Sequence, residues 1–317
     1  MANFLWTVDV PSGVLRNHAL SSKLRFAAVA NSRFTQFCKP EPGFGKKKGD
    51  TINITKIKNI TVPTDGTVSE DNDIPIDTAS IAKRAITVTE YGRGVEYTSL
   101  AEDLSHFDLE NSIQRKLRDQ LGQVLDNAAA TAFKTTYVAY QPTTTTGGTW
   151  DTDGTPSTTA LVNLNISHCG VIRDYMTDTL NVPFYEKENY IGIGSTKALR
   201  GIKSDGDFME WRKYLQPGDV LYNSEVGQVE QIRWVESNNT TALSNAKGTG
   251  SVLGEAIIFG EDGVAMVEAL APELRAAIPG DFGRKKAVAW YGILKFGLIW
   301  EETATAGEAR VVYVTSA

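Results

Sequence analysis

Residues 46–98 read KKKGDTINITKIKNITVPTDGTVSEDNDIPIDTASIAKRAITVTEYGRGVEYT, and the fold turns on this stretch. Its first arm follows Lys46, Lys47, Lys48, Gly49 and Asp50 and sets Ile52 and Ile54, then Ile60 and Val62, among Thr and Lys residues that include Lys56 and Lys58. Alternation of this kind is the period of a strand with one apolar face. A return arm alternates Ile86 and Val88 with Thr87 and Thr89. Between the arms lies an acidic tip with Asp65, Gly66, Glu70, Asp71, Asp73, Pro75 and Asp77. Two arms with so few apolar residues bury little, and an isolated two-stranded ribbon is marginal in water. The ribbon needs another surface, and if its own domain does not supply one, a neighbouring subunit must. That points to an assembling protein before any catalytic motif has been sought.

Working outward, the longest regular pattern follows the ribbon. From about 108 to 137, Leu109, Ile113, Leu117, Leu121, Val124, Leu125, Ala128, Ala132 and Phe133 fall at helical spacing, with Arg115, Lys116, Arg118, Asp119, Gln123 and Asp126 on the other side. A helix of roughly 30 residues spans about 45 Å and reads as a spine for other elements, its core drawn from Ile113, Leu117, Leu121, Val124 and Leu125. Before the ribbon, Ser21 and Ser22 are set to cap a short helix through Leu24, Ala27, Ala28 and Phe34, ended by Pro40, Pro42, Gly43 and Gly45. After the spine, Gln141 to Thr159 is rich in Thr, Gly, Asp and Pro and reads as a surface loop. An α/β pattern follows: a helix near Ser167–Met176, a strand near Asn189–Gly192, a helix from Ser195, an amphipathic turn with Phe208, Met209, Trp211 and Tyr214, and strand material at Val226, Val229, Ile232 and Val235. The C-terminal part is mostly β, at 256–259, 265–267, 287–294, 297–301 and 310–314.

Composition narrows the class. A chain of 317 residues with 22% charged and 41% hydrophobic residues is an ordinary folded protein of one large domain or two smaller ones. Its formal net charge of -6 lacks the basic footprint of a nucleic-acid binder, yet it suits a wall that confines nucleic acid without gluing to it. Met1–Val10 lacks the pattern of a secretory signal, and no segment has the length of a membrane span. Sequons at Asn53, Asn59, Asn165 and Asn239 therefore carry no weight, and Cys38 and Cys169 fit buried thiols in a reducing compartment.

The candidate chemical motifs are incomplete. Ile191-Gly192-Ile193-Gly194-Ser195-Thr196-Lys197 lacks the third glycine of a dinucleotide fingerprint and the spacing of a phosphate loop, and reads as a strand-to-helix turn capped by Ser195. His168 and Cys169 are adjacent and on a helix point about 100° apart, so they do not make a nucleophile–base pair. His18 and His106 have no neighbours at metal-ligand spacing. Asp71, Asp73 and Asp77 lack the glycine and glutamate of a calcium loop, and Asp151-Thr152-Asp153-Gly154 is equally incomplete. No catalytic, cofactor or metal site is expected. The charges of the ribbon are solvated or, in the sharper reading, form contacts between neighbouring subunits: Lys46, Lys47, Lys48, Lys56 and Lys58 against Asp65, Glu70, Asp71, Asp73 and Asp77.

Several stretches, in this order, carry a family resemblance: Gly49-Asp50-Thr51-Ile52; Glu90-Tyr91-Gly92 with Val95 and Thr98; Leu121 to Asp126; Glu225-Val226-Gly227-Gln228-Val229 with Arg233 before Glu236-Ser237; Ile258-Phe259-Gly260; Val288-Ala289-Trp290-Tyr291-Gly292; and Phe296-Gly297-Leu298-Ile299-Trp300-Glu301. The chain resembles the tailed-bacteriophage major capsid proteins of the HK97 fold, and within them the N4 gp56-like branch. The resemblance implies an α+β fold. Its parts are an N-terminal arm (1–45), an E-loop (46–98), a P-domain with the spine helix (99–160), a central A-domain (161–254) and a β-rich return (255–317). It implies hexamers and pentamers of an icosahedral shell around double-stranded DNA, a virion component made in the bacterial cytoplasm, and portal, scaffolding and decoration proteins as partners, with no membrane. Some relatives join a lysine to an asparagine of the next subunit; that chemistry is not expected here. The alternatives are an encapsulin-like nanocompartment shell, an α/β enzyme with an unrecognised site, and a capsid decoration protein, which is usually smaller and lacks the ribbon–spine order.

Overall fold

The structure, a computed structural model, describes residues 30–41, 45, 47–58, 60, 63, 65–68, 70–71, 73–105, 108–153, 160–206, 225–244, 254–300 and 308–317. A short strand β1 (Lys39–Pro40) precedes the ribbon, whose arms are β2 (Thr51–Ile57) and β3 (Ile81–Thr87). The chain then runs through β4 (Thr89–Thr98) and helix α1 (Ser99–Leu104) into the long helix α2 (Leu109–Lys134). A hairpin, β5 (Val138–Pro142) and β6 (Gly148–Asp151), leads to α3 (Ile166–Asp174), which ends in a wider π-turn, Tyr175–Thr179. Next come β7 (Tyr190–Ser195), α4 (Arg200–Ser204), and the hairpin β8 (Glu225–Val229) and β9 (Ile232–Ser237). The chain closes with β10 (Gly254–Phe259), β11 (Val264–Ala276), β12 (Lys285–Leu298) and β13 (Val311–Ser316).

Among the described residues these strands make three sheets. The larger has the order β6-β5-β13-β10-β7-β9-β8, the smaller β1-β11-β12-β4, and the ribbon β2-β3 stands by itself. Helix α2 bridges the first two. It starts where Asp108 accepts from Asn111 N at 3.0 Å, with Glu110 in the first turn and Lys134 in the last, both favourable to the helix dipole. Its N-terminal half packs on the smaller sheet: Leu117 is 3% exposed and meets Tyr97, Val288 and Trp290, with Ile113, Leu121 and Val124 half-buried beside them. Its C-terminal half packs on the larger sheet, Phe133 lying 4.8 Å from Phe259, ring to ring, with Leu125 half-buried against the same cluster. The spine core expected from sequence thus divides between two sheets.

Asp126 corrects the expected polar side of this helix. It is fully buried, on a stripe with Ala129, Ala130 and Phe133, and its Oδ1 accepts from Arg33 N at 2.8 Å, Phe34 N at 2.7 Å and Thr35 Oγ1 at 3.2 Å. Its Oδ2 accepts from Asn239 Nδ2 at 3.1 Å. One carboxylate therefore ties the chain entering from residue 30, the spine and the loop after β9 together, satisfying N–H groups that burial would otherwise strand.

Other expectations change in detail. The stretch 141–159 is a hairpin rather than a loop as far as it is described: β5 and β6 pair from Ala139↔Asp151 to Pro142↔Gly148, and β5 is parallel to β13. Residues 138–151 therefore belong with the larger sheet and not with the spine's own sheet. The strands expected at 287–294 and 297–301 are one strand, β12, ending at Leu298. Of the helix expected after Ser21, the part within the described residues is irregular to Phe34 and then a single 3-10 turn, Thr35–Phe37. Phe208, Met209, Trp211 and Tyr214 lie outside the described residues. In β7, a Cβ on Gly192 would come within 2.7 Å of the Trp234 ring and one on Gly194 within 2.8 Å of Leu199, so packing, not a phosphate, requires these glycines.

Candidate assembly interface

The ribbon is built by strict alternation. Its arms pair in register from Thr51↔Thr87 to Ile57↔Ile81, so Ile52, Ile54 and Lys56 share one face with Ala82, Arg84 and Ile86. That face lies on the chain's own body. Ile86 is 4% exposed and meets Ala265, Val267 and Ile299, with Ile52, Ile54, Val88 and Trp300 packed around them. Gly297 makes room for it, since a Cβ there would stand 2.9 Å from Ile86 Cδ1. The base of the ribbon is thus supplied with a surface by its own domain.

Two expected interface cations are used in the same place. Lys56 is buried, with Nζ 5.4 Å from the centroid of Trp300, and Lys58 Nζ lies 3.7 Å from Glu308 Oε2. Arg310 stacks on Trp300 at 4.3 Å. Strand parity turns Lys56 inward onto Trp300, and the return of the chain at Glu308 meets Lys58. Within the single subunit, Lys56 and Lys58, both expected at a contact with a neighbour, engage their own chain. Lys47, with φ 68, and Lys48 are exposed at the root, where a groove of about 500 Å³ is lined by Lys47, Asp50, Glu90 and Leu270. Lys46 lies outside the described residues.

Among the described residues, the other face and the far half of the ribbon have no such cover. Ile57 and Ile81 form an outward cross-strand pair, 69% and 64% exposed. Beyond them Ile60, Val68, Ile74 and Ile76 are exposed, Ile76 at 94%. Asp65, Glu70, Asp71, Asp73 and Asp77 are exposed among them. Hydrogen bonding from Thr67, whose N–H lies 2.9 Å from Asp65 Oδ1, holds the Asp65 carboxyl below its usual value. Among the described residues no group of three or more His, Cys, Asp or Glu is arranged to hold a metal ion. The far half therefore carries a strip of sequence in which exposed apolar residues stand among acidic ones.

Elsewhere the reactive side chains are quenched. Cys38 and Cys169 are free and buried. Burial, helped by the Asp126 charge, pushes the Cys38 thiol up to about 12, and burial pushes Cys169 up as well. His168 is buried with Nδ1 3.0 Å from Tyr140 Oη, and burial pulls its imidazole down to about 4. Such groups are structural rather than nucleophilic. Sequence reasoning missed Asp126 and the own-chain seat of the ribbon. The first was signalled by its spacing from Ala129, Ala130 and Phe133, the second by Gly297 between two large apolar residues.

A family model described as "Phage capsid protein" matches residues 81–307, well over half of the chain. The capsid asymmetric unit of cyanophage Pam1 is similar in structure, with a TM-score of 0.71 and 16% identity over 100% of this chain and 99% of that one. The head structure of Helicobacter pylori bacteriophage KHP40 gives 0.70 and 13% over 100% and 99%, and the capsid of Ralstonia phage GP4 gives 0.70 and 13% over 99% and 98%. No curated protein matches the sequence. With the family matched through the ribbon's return arm, the spine and most of both sheets, and the capsid fold matched from end to end, the chain has an HK97-like fold and belongs to the phage capsid protein family.

Proposed function

We propose that this subunit, of the N4 gp56-like branch, assembles head-to-tail into hexamers and pentamers of an icosahedral shell around double-stranded DNA. In this reading residues 46–98 are the E-loop laid across the next subunit, and 1–45 the N-terminal arm. The P-domain comprises 99–137 with β11 and β12, and the A-domain the larger sheet from 138 onward with β10 and β13. The observation that carries it is the division of the ribbon: a seated base and a far half whose Ile57, Ile81, Ile74 and Ile76 face water. A ring needs one surface of each subunit to meet a different surface of the next. The acidic far half cannot meet its own equivalent without repulsion, which favours such a contact; exposed Lys47 at the root supplies charge of the opposite sign. Two free, buried thiols agree with synthesis in the bacterial cytoplasm. Portal, scaffolding and decoration proteins are the partners this reading brings. A protein-filled nanocompartment shell is not favoured, since the matched family is that of phage capsids.

The test is a chain in which 58–80 is replaced by a two-residue turn. It keeps Ile52, Ile54 and Ile86 in place, which a removal of the whole of 51–89 would not. The expected outcome is a folded subunit that forms neither rings nor shells in negative-stain micrographs; normal shells from this variant end the E-loop reading.

A further inference from the structure

Residues 31–35, the loop 238–244 and the spine meet in one polar network centred on the buried carboxylate of Asp126. A carboxylate only accepts, and this one divides its two oxygens between two segments. Oδ1 takes the N–H groups of Arg33 and Phe34 and the hydroxyl of Thr35. Oδ2 takes Asn239 Nδ2. Because a carboxylate can receive the nitrogen of that amide but not its oxygen, Asp126 fixes which way Asn239 points. Asn127 Oδ1 receives the same nitrogen at 2.8 Å. The amide oxygen is thereby left for the loop, where it accepts from Thr241 N at 3.2 Å and Ala242 N at 3.1 Å.

The loop is tied at both ends as well. Asn238 Oδ1 accepts from Asn31 N at 3.0 Å. At the far end Ser244 donates through N and Oγ, at 3.2 and 3.1 Å, to Glu255, the partner of Lys134 on the same spine. Between the ends, Ala242 and Leu243 are buried in the cluster that holds Phe34. Asn238, Thr240, Thr241 and Ser244 are exposed. A short surface loop of this kind sits at the low end of local stability, so its order depends on its ties. Thr35 and Asn239 are linked through the two oxygens of one carboxylate, which makes the order of one segment a condition for the order of the other.

We infer that residues 31–35 are a strap on the loop 238–244. The docked strap holds the Asp126 carboxylate in place, the carboxylate sets the Asn239 amide, and the amide caps the turn of the loop. Asp126 and Asn239 are positioning residues in this device. Coupling between two segments is reciprocal. Residues 1–29 lead into the strap, so whatever draws them away loosens the loop, and whatever reshapes the loop frees the strap. The inference does not depend on the ring reading of the ribbon.

The test is hydrogen exchange of the full-length chain, read in peptides that cover 31–35, 238–244 and, for reference, β10. Thr35→Val removes a donor to Asp126 and no hydrogen bond of the loop itself. The expected result is exchange about fivefold faster in 238–244 as well as in 31–35, with β10 unchanged. Thr35→Ser keeps the hydroxyl and is expected to restore the unaltered rates. Asn239→Ala, made in the loop, is expected to speed exchange in 31–35 in return. Faster exchange confined to the altered segment overturns the inference, and so does no change in either segment. A rise of the same factor in β10 overturns it too, because the whole fold rather than the loop would then have loosened.

Discussion

Strands β10 and β2 are of similar length and are buried in opposite ways. All six residues of β10 are buried, because Ile257 and Phe259 face the cluster around Phe133 while Ala256 and Ile258 face the cluster around Trp234. In β2 the even residues Ile52, Ile54 and Lys56 lie inward and Ile57 faces out. A strand covered on both faces by its own chain is fixed by that chain. A strand covered on one face keeps a second face for another molecule. The difference is between stability and assembly, and substitutions can pull the two apart.

The largest effect belongs to the side that folds alone. Leu117→Asp places a carboxylate among Tyr97, Val288 and Trp290 with no partner, and a loss of about 4 kcal/mol or more is expected, enough to leave the subunit unfolded. Leu121, only half-buried in the same cluster, should tolerate the change better. Circular dichroism of the two variants checks the order.

Next comes the buried ion pair of the larger sheet. Glu255 is 1% exposed, with Oε2 2.6 Å from Lys134 Nζ and further bonds from Ser244. Burial raises its carboxyl, but Lys134, Tyr313 and Ser244 together outweigh burial and leave it below its ordinary value. Its stabilising effect is therefore present above the ordinary carboxylate range and lost as pH falls through the lowered value. Lys134→Met leaves the carboxylate buried without its cation and is expected to cost about 3 kcal/mol near neutrality. On acidification the variant's Glu255 takes up a proton first, so the gap between the two proteins narrows. Urea unfolding at about pH 7 and about pH 4 measures that gap; a gap that widens on acidification shows the pair to be misread.

The base of the ribbon stands between the extremes. Ile86→Ala opens the small cluster over Ala265, Val267 and Ile299, and a loss of about 2 kcal/mol is expected, the lower end for such a truncation. If denaturant unfolding shows no change, the base of the ribbon is not seated on its own chain, and the contrast with β10 becomes complete rather than partial.

What the sequence reveals follows the same division. Helix α2 was legible because its apolar spacing answers to one period over 26 residues, and the buried strands because their apolar residues come in runs or strict alternation. The hairpin β5–β6 was not, because Thr, Gly and Pro dominate its turn and hide the short paired segments on either side. The inward roles of Lys56 and Lys58 were hidden too: parity alone says that Lys56 joins Ile52 and Ile54, but the Trp300 and Glu308 that receive the lysines come from more than 200 residues away. The apolar residues at the far half of the ribbon were visible as letters. Their exposure was not, since exposure depends on what the rest of the chain fails to cover.

The smallest expected effect on stability falls on those uncovered residues, and there the comparison is sharpest. Ile74→Ser with Ile76→Ser removes two side chains that are 75% and 94% exposed, so the subunit's unfolding free energy should move by no more than about 0.5 kcal/mol. If the strip is closed over by the next subunit, the same pair of substitutions should weaken every ring contact at once, because each copy in a ring presents one strip. The two readings use different instruments: urea unfolding of the isolated subunit, and the concentration at which rings form, followed by sedimentation. An unchanged melt with a ring threshold raised at least tenfold places these isoleucines between subunits. A destabilised subunit with an unchanged threshold places them inside one, and the far half of the ribbon would then belong with β10.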